Sequence, residues 1–233
     1  MPQHLRRTLL TALCATAVVG LAACSSSSTS TAVTTATTPT AKADAGLQTG
    51  AKLEAMLLPA SAVPSSLKLN APDSRQTGTT FSEPSAAPVS KTQACNDLSE
   101  NIWVSSAGIG SGSFAQNDYT DSYGDMFAQE VDAFRGNNAT TVMANLEHVF
   151  TECKAYPFSQ SGTTYTEHLS WKALPGVGDQ AMQAVITSPS FNGGTTLVAV
   201  RVGNLVATTL YNDQNTTGSA GVALTERLAK NLG

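Results

Sequence analysis

One stretch near the C-terminus does most to limit the fold. Residues 195–211 read TTLVAVRV, then Gly203-Asn204, then LVATTLY. Two runs rich in β-branched and apolar residues, joined by a two-residue turn containing glycine, predict a β-hairpin. An antiparallel hairpin of this length needs neighbouring strands and a cover for its apolar surface. The chain supplies candidates for both. Strands are expected at Thr163–Leu169 and Gln180–Thr187, and a second pair at Ser113–Asp121 and Asp125–Phe134, although MFAQEVDAF also fits a helix.

Helices are expected on either side of these strands. Ala139–Lys154 places Val142, Leu146, Val149 and Cys153 at helical spacing, with Asn137 or Asn138 as a cap. Ser219–Leu232 has Val222, Leu224, Leu228 and Leu232 as its apolar members. Residues 47–58 put Leu53, Met56 and Leu57 on one face and stop at Pro59, and Cys95–Trp103 is expected to form a short helix burying Leu98, Ile102 and the Trp103 indole. Between these, residues 70–94 are polar and dotted with Pro72, Pro84 and Pro88. A loop of that length is functional, disordered or conceals a strand. The expectation is an α+β domain: an antiparallel sheet with helices packed on one face and room for a ligand cleft.

The N-terminus carries an address. Arg6 and Arg7 precede an apolar run, Thr8–Ala23, too short to span a membrane comfortably. Leu21-Ala22-Ala23-Cys24 then resembles the bacterial lipobox, in which the cysteine takes diacylglycerol and further acyl groups and the signal, residues 1–23, is removed. The competing reading is a plain secreted protein with a coincidental cysteine. Lipid on Cys24 would hold the chain to the outer face of the cell membrane, since each buried methylene contributes about 0.8 kcal/mol. Residues 24–46 are rich in Ser and Thr and lack aromatic residues, which reads as a flexible tether before a folded domain at 47–233.

Cysteine usage fits that compartment. With Cys14 in the signal and Cys24 lipidated, Cys95 and Cys153 remain, 58 residues apart. A structural disulfide between them is the simplest outcome in an exported domain, and closing such a loop contributes about 4 kcal/mol in the chain-entropy model. Two free thiols or a metal site are the alternatives, but neither cysteine has a CxxC partner. Without Arg6 and Arg7 the balance is 11 basic against 17 acidic residues, −6, which lacks the basic footprint of a nucleic-acid partner.

Several short motifs, taken in order, resemble the extracellular sensor domain of actinobacterial PknH-type serine/threonine kinases, a domain that also occurs in free lipoproteins. They are Leu57-Leu58-Pro59 closing the first helix, Cys95-Asn96-Asp97-Leu98 and a strand ending in Phe134. Phe150-Thr151-Glu152-Cys153, Gly178-Asp179-Gln180-Ala181, the hairpin Val198–Val206 and the amphipathic C-terminal helix follow. The resemblance covers most of residues 47–233. It implies an α+β sandwich-like domain with a cleft for a small or wall-derived ligand. The chain departs from the pattern in having no second cysteine pair, no membrane-spanning helix and no kinase domain, which turns the expectation from direct signalling to ligand capture.

No catalytic constellation is legible. His148 and His168 are the histidines left after signal removal, and the glycine-rich Gly108–Gly112 puts Gly110 where a GxSxG elbow needs serine. His148 with Glu152, one helical turn apart, offers two zinc ligands without a third, and His168 stands beside Glu167 in a strand. Asp118, Asp121 and Asp125 cluster without the alternate spacing of an EF-hand, which fits a solvated hairpin turn. Trp103, Tyr119, Tyr123, Phe127 and Trp171 stack on sugar rings, line an apolar cleft, or pack in the core and at strand edges, the last being favoured. The expectation is a non-enzymatic, lipid-anchored binding or sensor-like module without cofactor, metal or nucleic acid. An accessory envelope protein that binds another protein is the alternative, and a wall-modifying hydrolase a further one.

Overall fold

The computed structural model describes residues 44–160, 162–189 and 191–233. The expected signal, Cys24 and the tether through residue 43 lie outside them. In chain order the first elements are α1 (Gly50–Glu54), β1 (Lys68–Leu69), β2 (Arg75–Gln76), α2 (Lys91–Asp97), β3 (Ser113–Thr120) and β4 (Met126–Ala133). Then come α3 (Asn138–Glu152), β5 (Ala155–Gln160), β6 (Thr163–Ala173), β7 (Gln180–Ser188), β8 (Phe191–Val202), β9 (Leu205–Asp213) and α4 (Ala220–Ala229). A 3-10 segment, Trp103–Ala107, links α2 to β3.

The strands form one antiparallel sheet in the order β1-β3-β4-β9-β8-β7-β6-β5, with β2 also paired to β3. The expected hairpin is present: β8 and β9 run from Gly194 opposite Asp213 to Val202 opposite Leu205. MFAQEVDAF is strand, not helix, with Phe127 opposite Tyr119 on β3 and opposite Tyr211 on β9. Because β4 pairs with β9, two sequence-distant hairpins join at the middle of the sheet. Its edges are blunt. β1 and β2 are two residues each, and β5 carries Pro157, whose missing N–H is tolerated at an edge.

Helices cover both faces of the sheet, which corrects the expectation of helices on one face. β4 and β9 are buried along nearly their whole length, so successive residues point into two different cores. On one side α3 contributes Val142, Met143, Leu146 and Phe150, packed with Ala128, Leu197 and Leu210 of the sheet and with Trp103 and Leu98. On the other, Leu53 of α1 and Leu224 and Leu228 of α4 pack with Phe127, Val131 and Ala207. α4 is also pinned by a hydrogen bond between the hydroxyls of Thr225 and Thr209, 2.5 Å apart. Trp103 is fully buried, its indole N–H donating to the Thr209 carbonyl at 3.3 Å and its ring 5.7 Å from that of Phe150.

Boundaries differ in three places. The domain's bonded part reaches upstream of Leu47, since Arg135 binds the Asp44 carboxylate at 2.6 Å. The helix expected at Cys95–Trp103 begins at Lys91, capped by the Ser90 hydroxyl, which accepts from the Gln93 N–H at 3.2 Å. The polar segment 70–94 conceals β2 and then a strap. Within that strap Ser82 N–H donates to the Gly112 carbonyl at 2.7 Å, Gly110 N–H to the Ser85 carbonyl at 2.9 Å and Ala87 N–H to the Gly108 carbonyl at 3.1 Å. The glycines of the 108–112 turn permit this close approach. Gly108 has φ +71°, and a Cβ there would stand 2.8 Å from the Ala87 carbonyl oxygen.

Candidate functional site

A disulfide joins Cys95 on α2 to Cys153 at the end of α3, with Cα atoms 5.5 Å apart. α2 and α3 are thereby held side by side, and a cleft of about 540 Å³ opens next to the bridge. Lys91 and Ala94 of α2 form one wall, and Asn145, His148, Val149 and Glu152 of α3 the other. The strap supplies Ala86–Val89, and the end of the 3-10 segment supplies Ser106–Ile109. The lining is mainly small and aliphatic, with five polar side chains converging on it. Such a cavity is suited to a small ligand with an apolar body and a few hydrogen-bonding groups.

Ser106 is the most informative of those polar groups. It is 3% exposed, and its hydroxyl has no hydrogen-bond partner among the described residues. A buried hydroxyl left unpaired costs free energy on the order of 1–3 kcal/mol, a cost that a ligand group removes by bonding to it. Asn145 is oriented by its side-chain N–H, which donates to the Ala107 carbonyl at 2.8 Å and leaves its oxygen free to accept. Lys91 makes no ion pair among the described residues.

His148 and Glu152 line the same cleft, with Nε2 3.6 Å from the carboxylate across one helical turn. His148 thus shares the cavity with Ser106, yet no hydrogen bond joins them, so nucleophile and base are not assembled. His168 stands elsewhere, on β6 between Ala155 and Thr187 and exposed. Its neighbour Glu167 is buried opposite Tyr156, and burial raises both side chains above their ordinary pKa, Tyr156 to about 12.

The three aspartates do not converge. Asp118 is buried on β3, where it accepts from Asn101 and, at 2.9 Å, from Gln116; burial raises its carboxyl and those bonds oppose the rise. Asp121 closes the β3–β4 turn by accepting from the N–H groups of Tyr123 and Asp125, and Asp125 accepts from the Gln214 N–H. Among the described residues no group of three His, Cys, Asp or Glu side chains is placed to hold a metal ion. The aromatics largely serve the cores. Tyr119, Phe127 and Tyr211 stack in series, with centroids 6.3 and 6.0 Å apart. Trp171 is half-buried beside a shallow hollow of about 240 Å³ on the outer strands, and Tyr123 is exposed. None lines the cleft.

Lys91, Ser106 and Asn145 were not singled out by sequence reasoning. Ser106 follows Trp103-Val104 in a segment without helical or strand periodicity, and only the tertiary fold shows that its hydroxyl is buried.

This architecture is that of an α+β domain built on one antiparallel sheet. Among solved structures, the extracellular domain of PknH from Mycobacterium tuberculosis shares the fold with a TM-score of 0.57, over 80% of this chain and 97% of that one, at 16% sequence identity. No protein-family model and no curated protein matches the chain. Among the described residues, no helix is long and apolar enough to cross a membrane.

Proposed function

We propose that the chain is an envelope lipoprotein, held to the outer face of the membrane through Cys24, whose domain binds a small ligand without transforming it. The observation that carries the reading is the cleft beside the Cys95–Cys153 bridge, with the buried, unpartnered Ser106 hydroxyl in its lining. The likeness of fold to an extracellular domain agrees with an extracytoplasmic address, and the LAAC sequence at 21–24 supplies the anchor.

The chemistry of the lining narrows the ligand. Sugar rings bind by stacking on aromatic side chains, and the cleft has none. Its aliphatic walls, the Ser106 hydroxyl and the free oxygen of Asn145 suit a compact molecule that carries both a donor and an acceptor, with an anionic group placed towards Lys91. Small peptides and amino-acid derivatives of the wall meet that description better than long polysaccharide does.

A thermal-shift screen of the full chain against lipids, wall sugars, short peptides and divalent metals tests the reading. A ligand at a hundred times its dissociation constant adds about 2.7 kcal/mol, which for a domain of this size raises Tm by about 5–10 °C. A peptide-class hit is expected. A panel in which nothing shifts Tm would contradict ligand binding and favour a protein partner.

A further inference from the structure

On the face of the sheet that α3 covers, away from the cleft lining, β4 presents Glu130 and Asp132 two residues apart and therefore on the same side. They are 4% and 3% exposed, and neither Glu130 Oε2 nor Asp132 Oδ2 has a hydrogen-bond partner among the described residues. Register places Gln116 of β3 and Thr208 of β9 on either side of Glu130. Thr208 is 1% exposed, and its hydroxyl is also unpartnered. Thr208 therefore lies beside Glu130 on the same face of the sheet.

The charged groups that act on Glu130 are Asp132 on its own strand, Asp118 on β3 and Arg75 on β2. Asp132 is acted on by Glu130 and by the Ser111 side chain. Asp118, in turn, feels Asp73 and Arg75. One cation, Arg75, therefore acts on Glu130 and Asp118, and among the described residues the groups acting on Asp132 include no cation. Two adjacent anions cannot be held dry beside each other. Burial, reinforced at Glu130 by the neighbouring carboxylate, drives both groups upward, Asp132 to about 7 and Glu130 well above its ordinary range.

Ser111 ties this pair to the cleft. It lies between Gly110, whose N–H donates to the Ser85 carbonyl, and Gly112, whose carbonyl accepts from the Ser82 N–H. Both partners belong to the strap, which continues into Ala86–Val89 of the cleft wall. The strap is thinly held. Residues 82–88 are exposed and are held by a few backbone hydrogen bonds and the Arg135 guanidinium on the Ser82 carbonyl.

We propose that Glu130 and Asp132 form a proton-operated latch: the protonated pair keeps the 108–112 turn and the strap closed, and ionisation lifts them to admit water, moving one wall of the cleft. The consequence for ligand rests on the cleft reading above; the latch itself does not. The sign follows from linkage. Closed, Asp132 titrates near 7 and Glu130 well above its ordinary range; opened and hydrated, both return to the ordinary carboxyl range, about 4. The closed form is therefore favoured at low pH and loses that advantage as pH rises towards 7 and beyond.

Hydrogen exchange on the full chain without ligand tests the latch, so its failure is separate from failure of the binding screen. After correction for intrinsic exchange rates, protection of the Ser82, Ala87 and Gly110 amides should fall from pH 5 to pH 7, by up to about tenfold per pH unit for each carboxyl that ionises. The double variant Glu130→Gln/Asp132→Asn should abolish that dependence. Should the double variant not fold, Ser111→Ala decides: it removes a group that lowers Asp132, so the loss of protection should move to higher pH. Protection that is flat with pH in the wild type, or a pH profile unchanged in both variants, would overturn the proposal.

Discussion

Cys95 and Cys153 are bonded with their Cα atoms 5.5 Å apart, and each adjoins a residue of the cleft, Ala94 beside the first and Glu152 beside the second. The bridge therefore does more than close a loop of chain. It sets the spacing of the two helices whose facing residues form the cavity walls. Alkylation of the native chain followed by mass analysis should find neither cysteine labelled. Cys95→Ala/Cys153→Ala should lower stability by about 4 kcal/mol in chemical denaturation. A label at both positions would refute the bond.

Ser106 offers a separation of stability from function. Its hydroxyl makes no bond among the described residues, so Ser106→Ala loses nothing on folding and removes a desolvation cost. Unfolding free energy should stay the same or rise by up to about 1 kcal/mol, while ligand affinity falls. A variant destabilised by more than that would mean that the hydroxyl has a structural partner.

Among the described residues, Trp103 is the largest fully buried side chain of the core on the α3 side. Trp103 is fully buried against Phe150, and its indole N–H is bonded to β9. Trp103→Ala should cost about 3–5 kcal/mol and loosen the 3-10 segment that carries Ser106. Denaturant titration gives the first and hydrogen exchange of residues 103–109 the second. A loss below 1 kcal/mol would contradict this packing.

The proposed membrane anchor is tested by fractionation. Cys24→Ala should move the protein from the membrane fraction to the medium, because the acyl chains are gone. Unchanged membrane retention would remove the lipoprotein reading and leave the domain's cleft unaffected.

Global stability should fall as pH rises. Burial raises Asp118, Glu130, Asp132 and Glu167 together, so the folded state binds more protons than the unfolded chain does. That advantage is complete below the unfolded carboxyl pKa, about 4, and is lost as pH rises through the raised folded values, which for Asp132 is about 7. Asp213 is lowered and works in the opposite direction, but it stands at the surface. Urea unfolding at pH 5 and pH 7.5 should give the higher midpoint at pH 5, and the reverse order would contradict the assignment.

Much of the fold was legible where hydrophobic pattern and turn chemistry coincide. The VAVRV–Gly203-Asn204–LVATTLY hairpin and the Ala139–Lys154 periodicity both lie close to the observed β8–β9 and α3. β5 was missed because AYPFSQ is short, carries Pro157 and follows the helix without a loop. The placement of helices on both faces was misjudged because β4 breaks its apolar run with Gln129, Glu130 and Asp132. Polar residues in a strand normally mark a solvated side, whereas these three are buried. The cleft was invisible for another reason. Its walls come from a strap without periodicity, a 3-10 segment and two helices brought together by a disulfide, and no local pattern encodes that meeting. His148 was noticed, but Ser106 beside it in the cavity was not.

The most direct measurement compares wild type with a filled cleft, Ser106→Trp, against the same ligand panel by thermal shift and then by titration calorimetry. The account predicts at least one small ligand that raises the wild-type Tm by several degrees and leaves the filled variant unmoved. Equal shifts in both proteins, or no shift in either, would contradict the claim that this cleft is where the protein binds.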